Sequence, residues 1–400
     1  MLTAKKLVLG VAGGIAIYKV ADLTSKLVQA GAEVRVVMTT AATKLISPIT
    51  FKELSGNAVA YDMWNGNQEF NVEHIALANW ADALLIAPAT ANIIGKLANG
   101  IADDILTTTA IACKKPLILC PAMNTGMYEN PVVQENMAKL TNRGAIIMPP
   151  KSGHLACGTS GMGKLPEALE ILNFVDLFFA QREGDLRGLK FLVTAAGTRE
   201  AIDPVRFIGN RSSGKMGYAV AKDILSRGGQ VILISGPSAL IPPQGATVIK
   251  VESTQQMLEA VLKYYDAVDV VIKAAAVADY KPHNVAQQKI KKHDDTSLCI
   301  ELDKNPDILQ LLGQKKQKQF LVGFAAETQN LLENAKEKIC KKNLDMIVAN
   351  DVTKQGAGFD ANTNIVKFIF PDGKLEELEL MSKVQVGNKL LDAVLARLKK

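Results

Sequence analysis

Short, continuous apolar runs alternate with longer stretches of helical periodicity along most of the chain. Leu7-Val8-Leu9-Gly10-Val11 is the first run, Gly13-Gly14 breaks it, residues 15–30 carry a helical pattern that stops at Gly31, and 34–37 form the next run. Further runs at 83–87 and 117–120 each end in a proline, Pro88 and Pro121. Apolar runs without alternation, separated by helices, predict a parallel sheet covered on both faces. The polar stretch Gln181-Arg182-Glu183-Gly184-Asp185 interrupts this pattern, and the same logic then restarts. A strand at 191–194 leads into the turn Ala195-Ala196-Gly197-Thr198, a helix over 216–227 closes at Gly228, and strands follow at 231–234, 270–272, 320–322 and 346–348. The pattern predicts an α/β fold of two doubly wound domains, 1–184 and 185–400, with no obvious repeated sequence between them.

Composition agrees with this reading. The 400 residues are 48% hydrophobic and 22% charged, which is globular rather than disordered. Lys+Arg 46 against Asp+Glu 40 leaves +6, a mild excess that permits phosphate-bearing ligands without arguing for nucleic acid. Aromatic residues are only 5%, so base-stacking platforms are not expected. Five scattered cysteines (Cys113, Cys120, Cys157, Cys299, Cys340) contain no CxxC pair, and four histidines (His74, His154, His283, His293) do not form a metal-binding pattern. The N-terminal apolar run is too short to span a bilayer and lacks a cleavage pattern, so a cytoplasmic protein without membrane attachment is expected.

The Gly13-Gly14 turn, between a strand and a helix, is placed either to cradle a phosphate or to make a tight turn. It is not GxGxxG, and Thr39 and Thr40 stand where a ribose-binding acid would end the second strand, which favours a mononucleotide or flavin over a dinucleotide. His74, alone, reads more readily as a structural histidine than as a functional one. Asn124, in Pro121-Ala122-Met123-Asn124-Thr125-Gly126-Met127, follows a buried strand, at the end that lines ligand crevices in open parallel sheets. Cys157, in a glycine-studded loop, reads first as a small buried residue and second as a reactive acid. In the second half, Ser212-Ser213-Gly214-Lys215 suits a phosphate cradle but lacks Walker spacing, and Lys289-Ile290-Lys291-Lys292 is a solvated run or a triphosphate clamp. Asp279 again falls beyond a strand.

Taken together, the segments are far more specific. The chain resembles, along nearly its whole length, the bifunctional coenzyme A biosynthesis flavoproteins of bacteria, which join phosphopantothenoylcysteine decarboxylase to phosphopantothenate–cysteine ligase. Gly13-Gly14-Ile15, Val72-Glu73-His74-Ile75, Pro121-Ala122-Met123-Asn124 with Met127, and Ala156-Cys157-Gly158 carry the first half. Gly197-Thr198-Arg199-Glu200, Ile202-Asp203-Pro204-Val205-Arg206, Asn210-Arg211-Ser212-Ser213-Gly214 and Ala274-Ala275-Ala276-Val277-Ala278-Asp279 carry the second. Asn305-Pro306-Asp307, Gly323-Phe324-Ala325-Ala326-Glu327-Thr328 and Ala349-Asn350-Asp351 add to it. Thr159 stands where the family usually has an acid, Lys164-Leu165 replaces an Arg-Met pair, Ala196-Gly197 replaces a glycine pair, and Gly209 precedes Asn210.

The resemblance implies a flavodoxin-like or Rossmann-like flavoprotein domain followed by a Rossmann-like ligase domain. It implies FMN held by Gly13, Gly14, Ile15, Thr39 and the turn Thr90-Ala91-Asn92. The cofactor would take hydride from the carbon bearing sulfur, so that the resulting thioaldehyde accepts the electrons of the departing CO₂. His74 would assist the oxidation, Asn124 bind the substrate carboxylate with Met127 beside it, and Cys157 protonate the enethiol in the final reduction. For the ligase it implies 4'-phosphopantothenate, cysteine and CTP with Mg2+, through an acyl-cytidylate. Asn210 would support amide formation and Lys289 balance triphosphate charge. Asp279 would read the cytosine amine, with Ala275, Pro306, Asp307, Ile308, Leu309, Phe324, Lys338 and Lys342 completing the nucleotide site. Trimeric flavin domains and dimeric ligase domains imply a homo-oligomer, a dodecamer. The competing expectations are a flavin-binding regulatory module without turnover and an NAD-dependent oxidoreductase. A third is a decarboxylase of peptide C-terminal cysteines, for which a ligase domain has no use.

Overall fold

The computed structural model describes residues 2–64, 72–291, 298–327, 331–351 and 361–398. Among the sequence expectations, Lys292, His293 and Thr328 lie outside the described residues. The chain forms two compact units, Met1–Phe178 and Phe179–Lys400. The polar run beginning at Gln181 starts inside a helix, Ala168–Glu183.

The first unit is built on six parallel strands, β1 (Lys6–Val11), β2 (Glu33–Met38), β3 (Val59–Ala60), β4 (Ala83–Ala89), β5 (Leu117–Pro121) and β6 (Ile146–Ile147). Their spatial order is β3-β2-β1-β4-β5-β6. The apolar runs sit at its centre: in β4 every residue is buried, as expected of a strand covered on both faces. The run does not stop at Pro88, as the sequence predicts, but continues to Ala89. A register shift against β5 between Ile86 and Ala89 accommodates the residue that has no N–H to give. The order reverses between β1 and β4, which run side by side, Leu7 opposite Ala83. A topological switch point of this kind opens a crevice beyond the strand ends. A hairpin, β7 (Lys151–His154) and β8 (Ser160–Lys164), projects from the sheet and pairs with itself alone.

The second unit repeats the architecture. Its sheet runs in space from Thr247–Lys250 through Gln230–Ser235, Lys190–Ala195, Val270–Lys273, Phe320–Glu327 and Met346–Asp351. These strands are parallel, and Val366–Ile369 and Leu375–Glu377 extend the edge antiparallel. Leu192, Val271, Leu321 and Ile347 are buried between the covering helices. Among the described residues no helix is long and apolar enough to cross a membrane.

Candidate functional site

In the first unit, three strand-to-helix turns meet at the switch point. Gly13 follows β1, and a Cβ built on it would lie 2.6 Å from the Ala41 side chain and 2.9 Å from its backbone carbon. Glycine is thus required by close approach to the turn after β2. Gly14 differs, because its Cβ would meet only Pro88 and Thr90 side-chain atoms at 3.4 Å. Thr39 ends β2 and caps the short helix Thr40–Thr43 by accepting from Ala42 N–H at 3.2 Å. Thr90 does the same after β4 for the helix Ala91–Asn99, accepting from Ile93 N–H at 3.4 Å. Each hydroxyl keeps its own hydrogen to donate. The helix Ile17–Gln29 has no side-chain cap at its N-terminus, where the dipole favours an anion.

These turns wall a cavity of about 680 Å³, within the range of cofactor pockets. Gly13, Gly14, Ile15, Thr39, Thr90, Ala91, Asn92, Asn124, Met127 and Cys157 all line it. His74 does not: it is half-buried in the helix Glu73–Trp80, apart from the crevice. Lys19 and His154 line the cavity as well. Lys19 donates to Leu165 O at 3.2 Å and pairs with Glu167 at 2.7 Å. On the sequence, this lysine is one polar position of an amphipathic helix and carries no signal of its own.

The hairpin roofs the cavity through glycine. Gly163 holds φ at +130°, its carbonyl accepts from Met123 N–H at 3.0 Å, and a Cβ there would lie 2.1 Å from the Met123 oxygen. Gly161 lies over Thr125, whose hydroxyl a Cβ would reach at 2.5 Å. This docking brings together two residues 33 apart in sequence: Asn124 Nδ2 donates to Cys157 Sγ at 3.1 Å. The amide orientation is fixed, because Asn124 Oδ1 accepts from Gly126 N–H at 2.8 Å. Thr159 Oγ1 lies 3.1 Å from the same sulfur. Hydrogen bonds from the Thr159 side chain and backbone, then from Asn124, draw the exposed Cys157 thiol down to about 7. Cys120, enclosed in β5, is pushed up to about 12 by burial and is inert.

The second unit gathers its candidates at the carboxyl ends of its strands. Ala196 holds φ at +63°, a region that costs a residue with a Cβ about 1–2 kcal/mol and glycine almost nothing. Its carbonyl accepts from Ala276 N–H at 2.8 Å, which ties the first turn to the Ala275–Asp279 segment. Ala275 N–H is engaged by Thr194 Oγ1 at 3.2 Å. Asn210, exposed, donates to Val277 O at 3.2 Å, which leaves its second amide hydrogen and its oxygen for a ligand. Asp279 is exposed at the same end.

Asp307 caps the helix Ile308–Lys315 through Gln310 N–H and pairs with Lys342 at 2.8 Å. The side chains of Ile308 and Leu309 belong to the core, so only their backbone is placed to meet a ligand. Phe324, Lys338 and Lys342 are half-buried. Lys273, absent from the sequence expectations, closes the strand Val270–Lys273. Desolvation lowers its ammonium to about 8, opposed by Asp307 and Asp279 and reinforced by Lys342. Its only sequence signal is a lysine ending an apolar run.

A web of buried polar groups lies beneath. Thr254 N–H and O–H both reach Glu200 Oε1, at 2.9 and 2.7 Å. Because the Thr254 hydrogen is spent there, Thr198 donates to Thr254 across 3.1 Å, and Thr198 Oγ1 accepts from Ala278 N–H at 2.9 Å. Asn305 bonds both Thr254 and Ala278. Asp203, 2% exposed, anchors a second element. It accepts from Val205 N–H and from the backbone and guanidinium of Arg206, and its Oδ2 accepts from Ile290 N–H at 3.1 Å. Arg206 Nη2 then donates to Ile290 O at 2.9 Å. Both backbone groups of the residue after Lys289 are thereby clamped, and the Arg206 bonds hold the Asp203 carboxyl well below the usual carboxylate range. Among the described residues no three His, Cys, Asp or Glu side chains are grouped to hold a metal ion.

Residues 1–180 match the family described as Flavoprotein, and residues 186–398 match the DNA/pantothenate metabolism flavoprotein C-terminal domain. The class is therefore that of α/β flavoproteins of pantothenate metabolism, a flavin-type crevice on one unit and a second doubly wound unit behind it in the chain. Within that class, the chain belongs to the family of bifunctional coenzyme A biosynthesis proteins. It is 50% identical over 398 residues to the coenzyme A biosynthesis bifunctional protein CoaBC of Bacillus subtilis, covering 99% of this chain and 98% of the relative. The CoaBC of Haemophilus influenzae is 45% identical over 400 residues, covering 100% and 99%.

Proposed function

We propose that this enzyme joins cysteine to 4'-phosphopantothenate in its second unit and decarboxylates the product, 4'-phosphopantothenoylcysteine, to 4'-phosphopantetheine in its first. The observation that carries the reading is the meeting of Asn124 and Cys157 over the glycine-walled crevice. FMN fits that crevice: Gly13 gives close approach, the uncapped helix end suits a phosphate, and Thr39 and Thr90 each keep a hydrogen to donate. When bound, FMN supplies a two-electron acceptor for the oxidation and a donor for the return reduction. Asn124 holds the substrate carboxylate near the thiol, and Cys157 gives its proton to the enethiol carbon. A regulatory module without turnover has no need of a positioned acid over its flavin.

The apolar side chains of Ile15 and Tyr18 are 65% and 64% exposed at the crevice. A neighbouring copy covering them accounts for this, and supplies His74 from outside the chain whose crevice it serves. We expect a homo-oligomer with trimeric flavin units and dimeric ligase units, a dodecamer. Light scattering that returns a monomer refutes it.

In the second unit, CTP with Mg2+ activates the pantothenate carboxylate as an acyl-cytidylate, which the cysteine amine then opens. Asp279 accepts from the cytosine amine, and Lys289 meets the triphosphate from its clamped loop. Asp203→Asn removes the charge that draws Arg206 and Ile290 together. Hydrogen bonds to charged groups are worth about 1.5–3 kcal/mol, so the KM for CTP is expected to rise about tenfold or more. An unchanged KM, measured by pyrophosphate release, removes the clamp from the mechanism.

Mass spectrometry of products from phosphopantothenate, cysteine, CTP and magnesium tests the whole reading. Phosphopantetheine with CMP supports both activities. Accumulated phosphopantothenoylcysteine leaves the ligase standing alone, and no nucleotide-dependent product overturns the proposal.

A further inference from the structure

Thr159 follows Cys157 by two residues, and its side chain faces the Cys157 sulfur. Its hydroxyl lies 3.1 Å from Sγ, and the Asn124 amide approaches the same atom at 3.1 Å. The two donors are not equivalent. Asn124 is locked by Gly126 N–H on its oxygen, so it can only donate to sulfur, whatever the protonation state. A hydroxyl rotates: it accepts from S–H when the sulfur is a thiol and donates to it when the sulfur is a thiolate. A carboxylate at the same place can only accept, and its charge disfavours the thiolate. The loop geometry keeps the hydroxyl in reach, because Leu155 N–H bonds Thr159 O at 2.8 Å and Gly158 N–H bonds Leu155 O at 3.0 Å. That closes a turn with Cys157 and Thr159 on either side of Gly158, whose φ is +82°.

We propose that Thr159 is a positioning residue whose hydroxyl, together with the Asn124 amide, holds the Cys157 sulfur and stabilises its thiolate, so that the thiol gives up its proton more readily than it would beside an acid. The inference extends the proposed role of Cys157, and it rests on that role only for its consequence in catalysis. The lowering of this thiol to about 7, with the Thr159 hydrogen bond as the largest cause, agrees with the geometry. A donor of that acidity is mostly protonated just below neutral pH and is half spent near pH 7. The reduction it serves should therefore fall off on the alkaline side of neutrality.

The test is alkylation of the full-length, FMN-loaded protein with iodoacetamide between pH 5.5 and pH 9. The Cys157 peptide is followed by mass spectrometry so that Cys299 and Cys340, also exposed, are scored apart. Wild type is expected to reach half-maximal rate near pH 7. Thr159→Val, which removes the hydroxyl, should move the midpoint up by about one pH unit, the scale of one hydrogen bond to a charged group. Thr159→Ser should restore it, and Thr159→Asp should move it up at least as far as valine. A valine midpoint equal to wild type overturns the proposal. If the valine variant fails to retain FMN, equal midpoints for serine and aspartate overturn it instead. The alkaline limb of enethiol reduction, measured on the same variants, separates the two readings. A limb that moves with the alkylation midpoint supports both. A limb that stays fixed while the midpoint moves leaves the Thr159 assignment standing and removes Cys157 as the proton donor.

Discussion

Cys157→Ser is expected to decarboxylate 4'-phosphopantothenoylcysteine and then stall, with the oxidised enethiol product accumulating in place of phosphopantetheine. A serine hydroxyl is isosteric enough to accept from Asn124 and Thr159, so the hairpin and the cavity survive the change. What is lost is acidity. The thiol sits at about 7, and an alcohol does not release a proton in that range. Removing a positioned acid costs roughly 10²- to 10⁴-fold in the step it serves. The oxidation and loss of CO₂ do not use that proton and should proceed at near the wild-type rate. The measurement is a time course by mass spectrometry that resolves the enethiol from the thiol, two mass units apart. Phosphopantetheine formed at the wild-type rate by the serine variant would remove Cys157 from the reduction. Failure to lose CO₂ at all would place its role in substrate binding.

The second large effect is expected from Asn210→Asp. Asn210 is exposed and held by one N–H on Val277 O, which on the proposed reading leaves the second N–H for the reacting oxygen. A carboxylate in its place repels the Val277 carbonyl and offers no donor to an oxygen that gains negative charge as cysteine attacks the acyl-cytidylate. Loss of one such donor costs about 10²- to 10³-fold. Formation of the acyl-cytidylate uses other groups, so pyrophosphate release in the first turnover should survive while CMP release slows. Rapid quench with pyrophosphate and CMP quantified together is the decisive experiment. Equal loss of both products would assign Asn210 to nucleotide binding, not to amide formation.

The sheets were legible in the sequence because buried parallel strands are written as unbroken apolar runs. Leu7–Val11 and Phe191–Thr194 are covered on both faces, so nothing in them alternates. Their ends were less legible. β4 runs through Pro88 because a shift of register absorbs the missing N–H, a matter of pairing that the residue itself does not announce. The residues that the family resemblance assigns to FMN line one cavity together with Asn124, Met127 and Cys157, and His74 does not. The meeting of Asn124 with Cys157 depends on a hairpin seated by Gly161 and Gly163, and no spacing along the chain encodes that contact. In the other direction, Thr198, Glu200 and Asn305 fall within the family's motifs yet each spends a hydrogen bond on Thr254, as scaffold. Ile308 and Leu309 likewise belong to the core. A motif marks what the site needs, and part of what it needs is scaffold. Lys19 and Lys273 were missed for the converse reason: on a helix or a strand end, a lysine without context reads as a solvated charge.

The buried web of Glu200, Thr254, Thr198 and Asn305 has a thermodynamic consequence for recognition. The side-chain donors in it already have acceptors, so a nucleotide bound as proposed would meet a floor that need not rearrange. On the proposed reading, the side-chain entropy lost on binding falls on rim residues such as Lys289 and Asp279. Nucleotide selectivity, on that reading, would be retuned by substitutions at the rim without disturbing the floor.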